Sequence, residues 1–188
     1  MAIEPYRNNL LNHPSPHGMT SQLFRALWNM SWFVLCRFTT RWRPMDRWRS
    51  IVLRMFGAKV GKRCHIYPDV QIWDPRNLEM GDDSTLGPGV ICENADRVIL
   101  GNAVVISQYS YLCTSSHDIY STNFHLITKP IIVKDNVWVT AGCYVGRGVT
   151  IGEGAVAAVR SVIVKDVAPW TVVGGNPARF IKKRVINE

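Results

Sequence analysis

A histidine stands where the sequence changes its rhythm. As far as LCTSSH, residues 112–117, and again from Val133, apolar residues recur at a fixed interval; the intervening DIYSTNFHLITKPII does not keep it. A segment leaving a regular scaffold is where binding and catalytic groups concentrate, and His117 is at its root. An imidazole there could take the proton of an attacking hydroxyl, since its ordinary pKa lies near neutrality. A positioned base of that kind contributes about 10²–10⁴ in rate. A lone histidine is also a common structural residue, and position alone leaves both roles open. Asp118 follows at once, but neighbours along an extended chain point to opposite sides. Its expected task is to shape the first turn of the excursion. Tyr120, Asn123 and His125, inside the excursion, could touch a ligand or simply meet solvent.

Other chemistries fit poorly. A zinc centre needs about three to four side-chain ligands in a tight cluster, and His65, His117 and His125 include no pair at ligand spacing. No metal is expected. The five cysteines (Cys36, Cys64, Cys92, Cys113, Cys143) form no CxxC pair, and their odd number argues against a complete disulfide framework. A reducing compartment and no acyl-cysteine are the expectations.

The elements that must hold His117 follow from the interval, which is six residues. Val133, Val139, Val145, Ile151, Ala157 and Ile163 form one unbroken series, with small residues four places later (Val137, Cys143, Val149, Ala155, Ser161, Val167). Upstream, Val60-Ile66-Ile72, Met80-Leu86-Cys92 and Leu100-Ile106-Leu112 obey the same rule in blocks beginning at 60, 80 and 100. Each block is three hexads plus two inserted residues. Such a repeat folds as stacked three-sided coils, each burying its interior against its neighbours. A valine-rich sandwich would not hold a six-residue phase for so long. The expected fold is an all-β repeat prism over 58–178 with one extruded loop, 118–131.

Residues 20–57 are different. Thr20 or Ser21 could cap a helix whose apolar side includes Phe24, Leu27, Trp28, Leu35 and Phe38. Pro44 would end it, and a second helix would run from about Met45 to Phe56 before Gly57. Between Arg25 and Arg63 ten Lys/Arg face Asp46 alone, although the whole chain carries only +8. The pair could cap the first coil, as repeat proteins require, or rest on an anionic membrane face. The basic residues lack a nucleic-acid-binding motif, so no nucleic acid is expected. The opening MAIEPYRNNLLNHPSPHG has no apolar signal stretch, and 23–36 is too short to span a bilayer. A cytoplasmic protein, at most peripheral at the inner membrane face, is expected. Residues 1–19 and 179–188 are expected to be tails, the latter basic.

The hexads, the excursion after SSHD, and the ending DNVWVTAGCYVGRGVTIGEG…VIVKDVAPWTVVGGNPAR resemble the hexapeptide-repeat acyltransferases, within them the galactoside/maltose O-acetyltransferase branch. With WRSIVLRMFGAKVGKRCHIYPDVQIWDPRNLEMGD added, the likeness is fullest to colanic acid biosynthesis acetyltransferases of the WcaF type, over about residues 20–184. The resemblance implies a left-handed β-helix, a homotrimer with sites between neighbouring prisms, and direct acetyl transfer from acetyl-CoA to a sugar or lipid-linked glycan hydroxyl.

By that resemblance His117 is the general base and Trp138 lines the cleft. Ala141 stands where the galactoside enzymes have a serine near CoA. Val159, Val164 and Lys165 match positions along the pantetheine arm, while Arg179 and Lys182 match basic residues near the phosphates. Two departures stand out. Ala158-Val159-Arg160 replaces Gly-Ala-Gly, making Arg160 either a further phosphate ligand or an obstruction in the CoA groove. The Asn and Asp that hold the galactoside fall at Gly87 and Ala95, so Glu93, Asn94, Asp96 and Asp118 become the acceptor candidates. A non-catalytic scaffold in polysaccharide assembly, or an acyltransferase for another small acceptor, are the alternatives.

Overall fold

The computed structural model describes residues 18–186, so residues 1–17 of the expected N-terminal tail and 187–188 lie outside it. The six-residue period is realised as a parallel β-helix of three flat faces. The first face stacks Lys59–Val60, Leu78–Met80, Val98–Leu100, Ile131–Val133 and Thr150–Ile151. The second stacks His65–Ile66, Thr85–Leu86, Val105–Ile106, Trp138–Val139, Val156–Ala157 and Thr171–Gly174. The third stacks Gln71–Ile72, Ile91–Glu93, Tyr111–Cys113, Tyr144–Val145 and Val162–Ile163.

Register shows why the sequence folds this way. Val60, Met80, Leu100, Val133 and Ile151 are successive partners up the first face. Ile66, Leu86, Ile106, Val139 and Ala157 do the same on the second. These side chains point inward and are buried. Because side chains alternate along a strand, their neighbours Lys59, Thr85 and Trp138 point out. The small residues four places on, such as Ser84, Ser110 and Ala155, are fully buried at the corners. Rungs join through backbone bonds of 2.8 Å, among them Gly61 N–H to the Met80 carbonyl and Gly81 N–H to that of Leu100.

The two inserted residues fall at the third edge, between the third and first faces. There Asn94 accepts a hydrogen bond from Asp74 N–H and donates to the Asp74 carbonyl. Thr114, one coil on, donates to the Glu93 carbonyl and accepts from Asp96 N–H. A buried polar ladder thus supplies the backbone partners that two bulged residues would otherwise lose.

Helix α1 spans Met19–Leu35 and α2 spans Arg43–Met55. The first starts at Gly18 without a side-chain cap, so neither Thr20 nor Ser21 caps it. Pro44 lies in the first turn of α2, where its missing N–H costs nothing. Gly57, at φ +94°, closes it. The helices extend the core past the first coil: Trp28, Trp32, Val52 and Leu53 join Val60 and Ile66 in one buried cluster. Trp28 donates its ring N–H to the Ile72 carbonyl. Asp46, buried, takes a hydrogen bond from Arg49 and pairs with His65 on the first coil.

The C-terminal segment is a correction. Arg179–Lys183 is not a loose tail but an exposed strand antiparallel to Thr171–Gly174, because 175–178 turns the chain back along the last rung, where Ala178 N–H reaches the Val162 carbonyl. Ile106, fully buried on the second face, is a suitable probe of the stack: Ile106→Ala is expected to lower stability by about 2–5 kcal/mol, measured by denaturant unfolding.

Candidate active site

The excursion is a β-hairpin, and it begins earlier than its sequence suggests. Ser115–His117 pairs antiparallel with Leu126–Thr128, Ser115 facing Thr128 and His117 facing Leu126. His117 therefore does not complete a coil; it rides on the outgoing strand. The chain is back in the prism by Ile131, which is buried and pairs with Val98. The antiparallel pairing satisfies backbone groups that the prism no longer reaches.

The hairpin is pinned at its base. Glu93, one coil below, accepts hydrogen bonds from the Tyr111 hydroxyl and, at 3.0 Å, from Ser115 Oγ. Ser115 and His117 share one side of their strand, so this anchor fixes the side on which the imidazole emerges. The exposed ring of His117 stacks on Phe124, 4.9 Å between centroids and 9° between planes. Its Nδ1 lies 2.6 Å from the Phe124 carbonyl. A carbonyl only accepts, so Nδ1 carries the proton of the neutral ring and the lone pair is at Nε2. That is the tautomer a general base needs, held by a backbone atom that cannot change protonation state.

Asp118 does not orient His117. Its Oδ1 caps Tyr120 N–H at 2.9 Å, and Oδ2 lies 3.7 Å from His125 Nε2. It shapes the turn, as the extended-chain argument expects. Asn94 is a second correction: fully buried and committed to the Asp74 main chain, it cannot also bind an acceptor. Asp96 holds the edge turn through Arg97 N–H. Glu93 remains near the site but as a positioning residue, a role that a five-residue window could not suggest because Tyr111 and Ser115 come from the next coil.

The remaining candidates fall into two groups. Val164 and Lys165 lie on the third edge, the edge from which the hairpin leaves. With Arg179 they line a cleft of about 410 Å³ at the C-terminal mouth of the prism. Trp138 is on the second face, about half exposed, its ring N–H donating to Ser107 Oγ. Ala141 and Val159 occupy equivalent corner positions at the edge after that face, joined by the bond from Arg160 N–H to the Ala141 carbonyl. Arg160 itself turns that corner at φ 58° with its side chain exposed. Lys182 pairs with Val172 on the terminal hairpin of the same face. The second face is the one opposite the third edge, so one chain does not bring Trp138 beside His117.

A groove of about 660 Å³ separates α1 from the third face. Trp32, Phe33 and Trp73 give it aromatic walls, Asp69 and Gln71 add polar atoms, and Glu93 closes its end near the hairpin. Burial pushes the thiols of Cys36 and Cys92 up to about 12 and raises that of Cys64, while Cys113 Sγ lies against Glu93 and Ser115 at the hairpin base. Among the described residues, no group of three or more His, Cys, Asp or Glu could hold a metal ion.

This architecture recurs in solved structures. A hexapeptide-repeat acetyltransferase of Vibrio cholerae O1 biovar eltor, crystallised with acetyl coenzyme A, superposes with a TM-score of 0.82 at 23% identity, covering 93% of this chain and 94% of that one. Sequence similarity is stronger to the "Putative colanic acid biosynthesis acetyltransferase WcaF" of Escherichia coli K12: 39% identity over 159 residues, 84% of this chain and 87% of the relative. The chain belongs to the hexapeptide-repeat acetyltransferases. Its coils are those of a left-handed β-helix. The galactoside O-acetyltransferase of E. coli K12 is 26% identical over 142 residues, 74% of this chain and 70% of that protein. No family model matches the chain.

If Asn94 serves the edge ladder, Asn94→Ala leaves the Asp74 N–H and carbonyl buried without partners. Stability is expected to fall by about 1–3 kcal/mol in thermal or denaturant unfolding, with the acceptor KM unchanged.

Proposed function

We propose that this family member transfers an acetyl group from acetyl-CoA to a sugar hydroxyl of a surface or exported glycan. The names and ligands of its relatives support the reading. The observation that carries it is the His117 ring, with Nδ1–H on the Phe124 carbonyl and the lone pair at Nε2.

In this mechanism the acceptor hydroxyl gives its proton to Nε2 as its oxygen attacks the thioester carbon. The tetrahedral oxyanion is stabilised by backbone N–H donors, then collapses, breaking the C–S bond. The sulfur leaves as CoA thiolate and takes the proton from His117, restoring the neutral ring. No acyl-enzyme forms. Phe124 and the Glu93–Ser115 anchor keep the imidazole from rotating away between turnovers, an orientation effect that matters because reacting atoms must meet within about 3–3.5 Å.

The separation of Trp138 from His117 supports a homotrimer in which the site is completed between chains. The second face of one prism would meet the hairpin edge of its neighbour. Ala141, Val159, Val164 and Lys165 then offer exposed rungs to the amides of the pantetheine arm. Arg160, Arg179 and Lys182 offer cations to its phosphates. The groove ending at Glu93 suits an extended acceptor, since aromatic walls with interspersed amides and carboxylates match the apolar faces and hydroxyl rims of sugar rings.

The deciding experiment is His117→Ala. Acetyl-CoA turnover is expected to drop by about 10²–10⁴ while calorimetric CoA affinity stays within about twofold; undiminished turnover overturns the mechanism. Trp73→Ala, at the groove wall, is expected to raise the acceptor KM about three- to tenfold, with kcat nearly unchanged, in steady-state assays against glycan acceptors.

A further inference from the structure

Helix α1 is apolar on both sides. Phe24, Trp28 and Trp32 form the side packed against the prism, where the Trp28 and Trp32 rings meet at 5.2 Å. On the opposite side Met19, Leu23, Leu27, Met30, Phe33 and Val34 recur at three- and four-residue spacing, which is one stripe of a helix. All six are exposed, from 51% at Leu27 to 78% at Met19. A helix that only capped the prism would need one apolar side and would turn polar residues outward. The stripe runs about 22 Å, at about 1.5 Å per residue, and a contiguous apolar surface of this kind marks an interaction site.

The stripe continues past the helix. Phe38 packs edge-on against Phe33, 5.1 Å between centroids, and is itself three-quarters exposed. Trp42 follows, 68% exposed, at the start of α2. Arg37, Arg41, Arg43 and Arg47, close by in sequence, are all exposed; Arg41 lies over the Tyr67 ring, and Arg43 and Arg47 line a cleft with Arg63 and Asp83. Between residues 19 and 58 the sole acidic side chain is Asp46, and it is buried against Arg49 and His65. The surface therefore presents hydrocarbon, aromatic rings and positive charge with no exposed carboxylate in the segment. That combination fits the headgroup boundary of an anionic bilayer, where apolar side chains enter the acyl region and arginines meet phosphates. Among the described residues no helix is long and apolar enough to cross a membrane.

We propose that the α1 stripe, with Phe38, Trp42 and the flanking arginines, docks the protein flat on an anionic phospholipid surface. None of these residues belongs to the His117 hairpin or the exposed rungs, but Phe33 and Arg37 also line the groove that ends at Glu93, whereas Leu23, Met30 and Val34 do not. A protein docked this way would find its acceptor at the membrane surface, which suits a glycan carried on a lipid.

The test is sedimentation of the purified full chain with vesicles of phosphatidylcholine plus phosphatidylglycerol, against vesicles of phosphatidylcholine alone. Binding to the anionic vesicles is expected to exceed that to neutral ones about tenfold or more and to weaken steeply with added salt. Leu23→Ser/Met30→Ser/Val34→Ser, altering only exposed side chains, is expected to abolish binding while circular dichroism and CoA turnover stay as in the parent. Arg43→Ala/Arg47→Ala is expected to remove the preference for anionic lipid. A parent protein that stays in the supernatant overturns the proposal. So does a triple variant that sediments like the parent, or one whose mass in solution falls by an oligomeric step, since the stripe would then cover another copy of the chain.

Discussion

Everything in this molecule hangs on the hydrogen-bonded rung between successive coils. Gly61 reaches Met80, Gly81 reaches Leu100, Gly101 reaches Val133 and Gly146 reaches Ile163, each at 2.8 Å. These bonds fix how many residues a coil contains, and so which side chains enter the prism. Interior space is narrow enough that branched residues from three faces fill it, and a Cβ at Gly81 or Gly101 would come within 3 Å of the neighbouring coil. A stack this tight cannot absorb extra residues in its faces. It admits two at an edge when a polar ladder of Asn94 and Thr114 serves their backbone, and a longer insertion must leave altogether.

The expelled segment gains from the same rigidity. A hairpin rising from a prism edge would pivot freely if its base were held by backbone alone. Glu93 prevents this by gripping Ser115 and Tyr111 at once, and Phe124 folds back to receive and cover the imidazole. The imidazole is thus positioned by a chain of contacts running from the second coil through the hairpin tip. Antiparallel pairing carries the backbone; the contacts of Glu93 and Phe124 carry the orientation.

The helical pair answers a different demand. An open first coil would expose Val60, Ile66 and Ile72, and the buried side of α1 with Val52 and Leu53 covers them. That task uses only part of α1. The other side leaves Met19, Leu23, Leu27, Met30, Phe33 and Val34 exposed, so capping does not account for the whole apolar surface of the helix.

The sequence alone determined the coil. Hexad spacing assigned interior side chains on all three faces, counted two inserted residues per block and placed the break in the prism to within a few residues, because each depends on a local period that stacking amplifies. His117 was legible as the residue at that break. What only the tertiary structure decided involves partners one coil, or about 20 residues, away. Asn94 proved to be a buried rung of a ladder, Glu93 an anchor for the hairpin, and Arg179–Lys183 a strand returning along the last coil. No local pattern encodes such pairings, since the residues that satisfy one another meet only after the coils have stacked. The two sides of α1 were equally hidden: its composition announced an apolar helix, but which stripe faced the prism awaited the packing of Trp28 against Ile72.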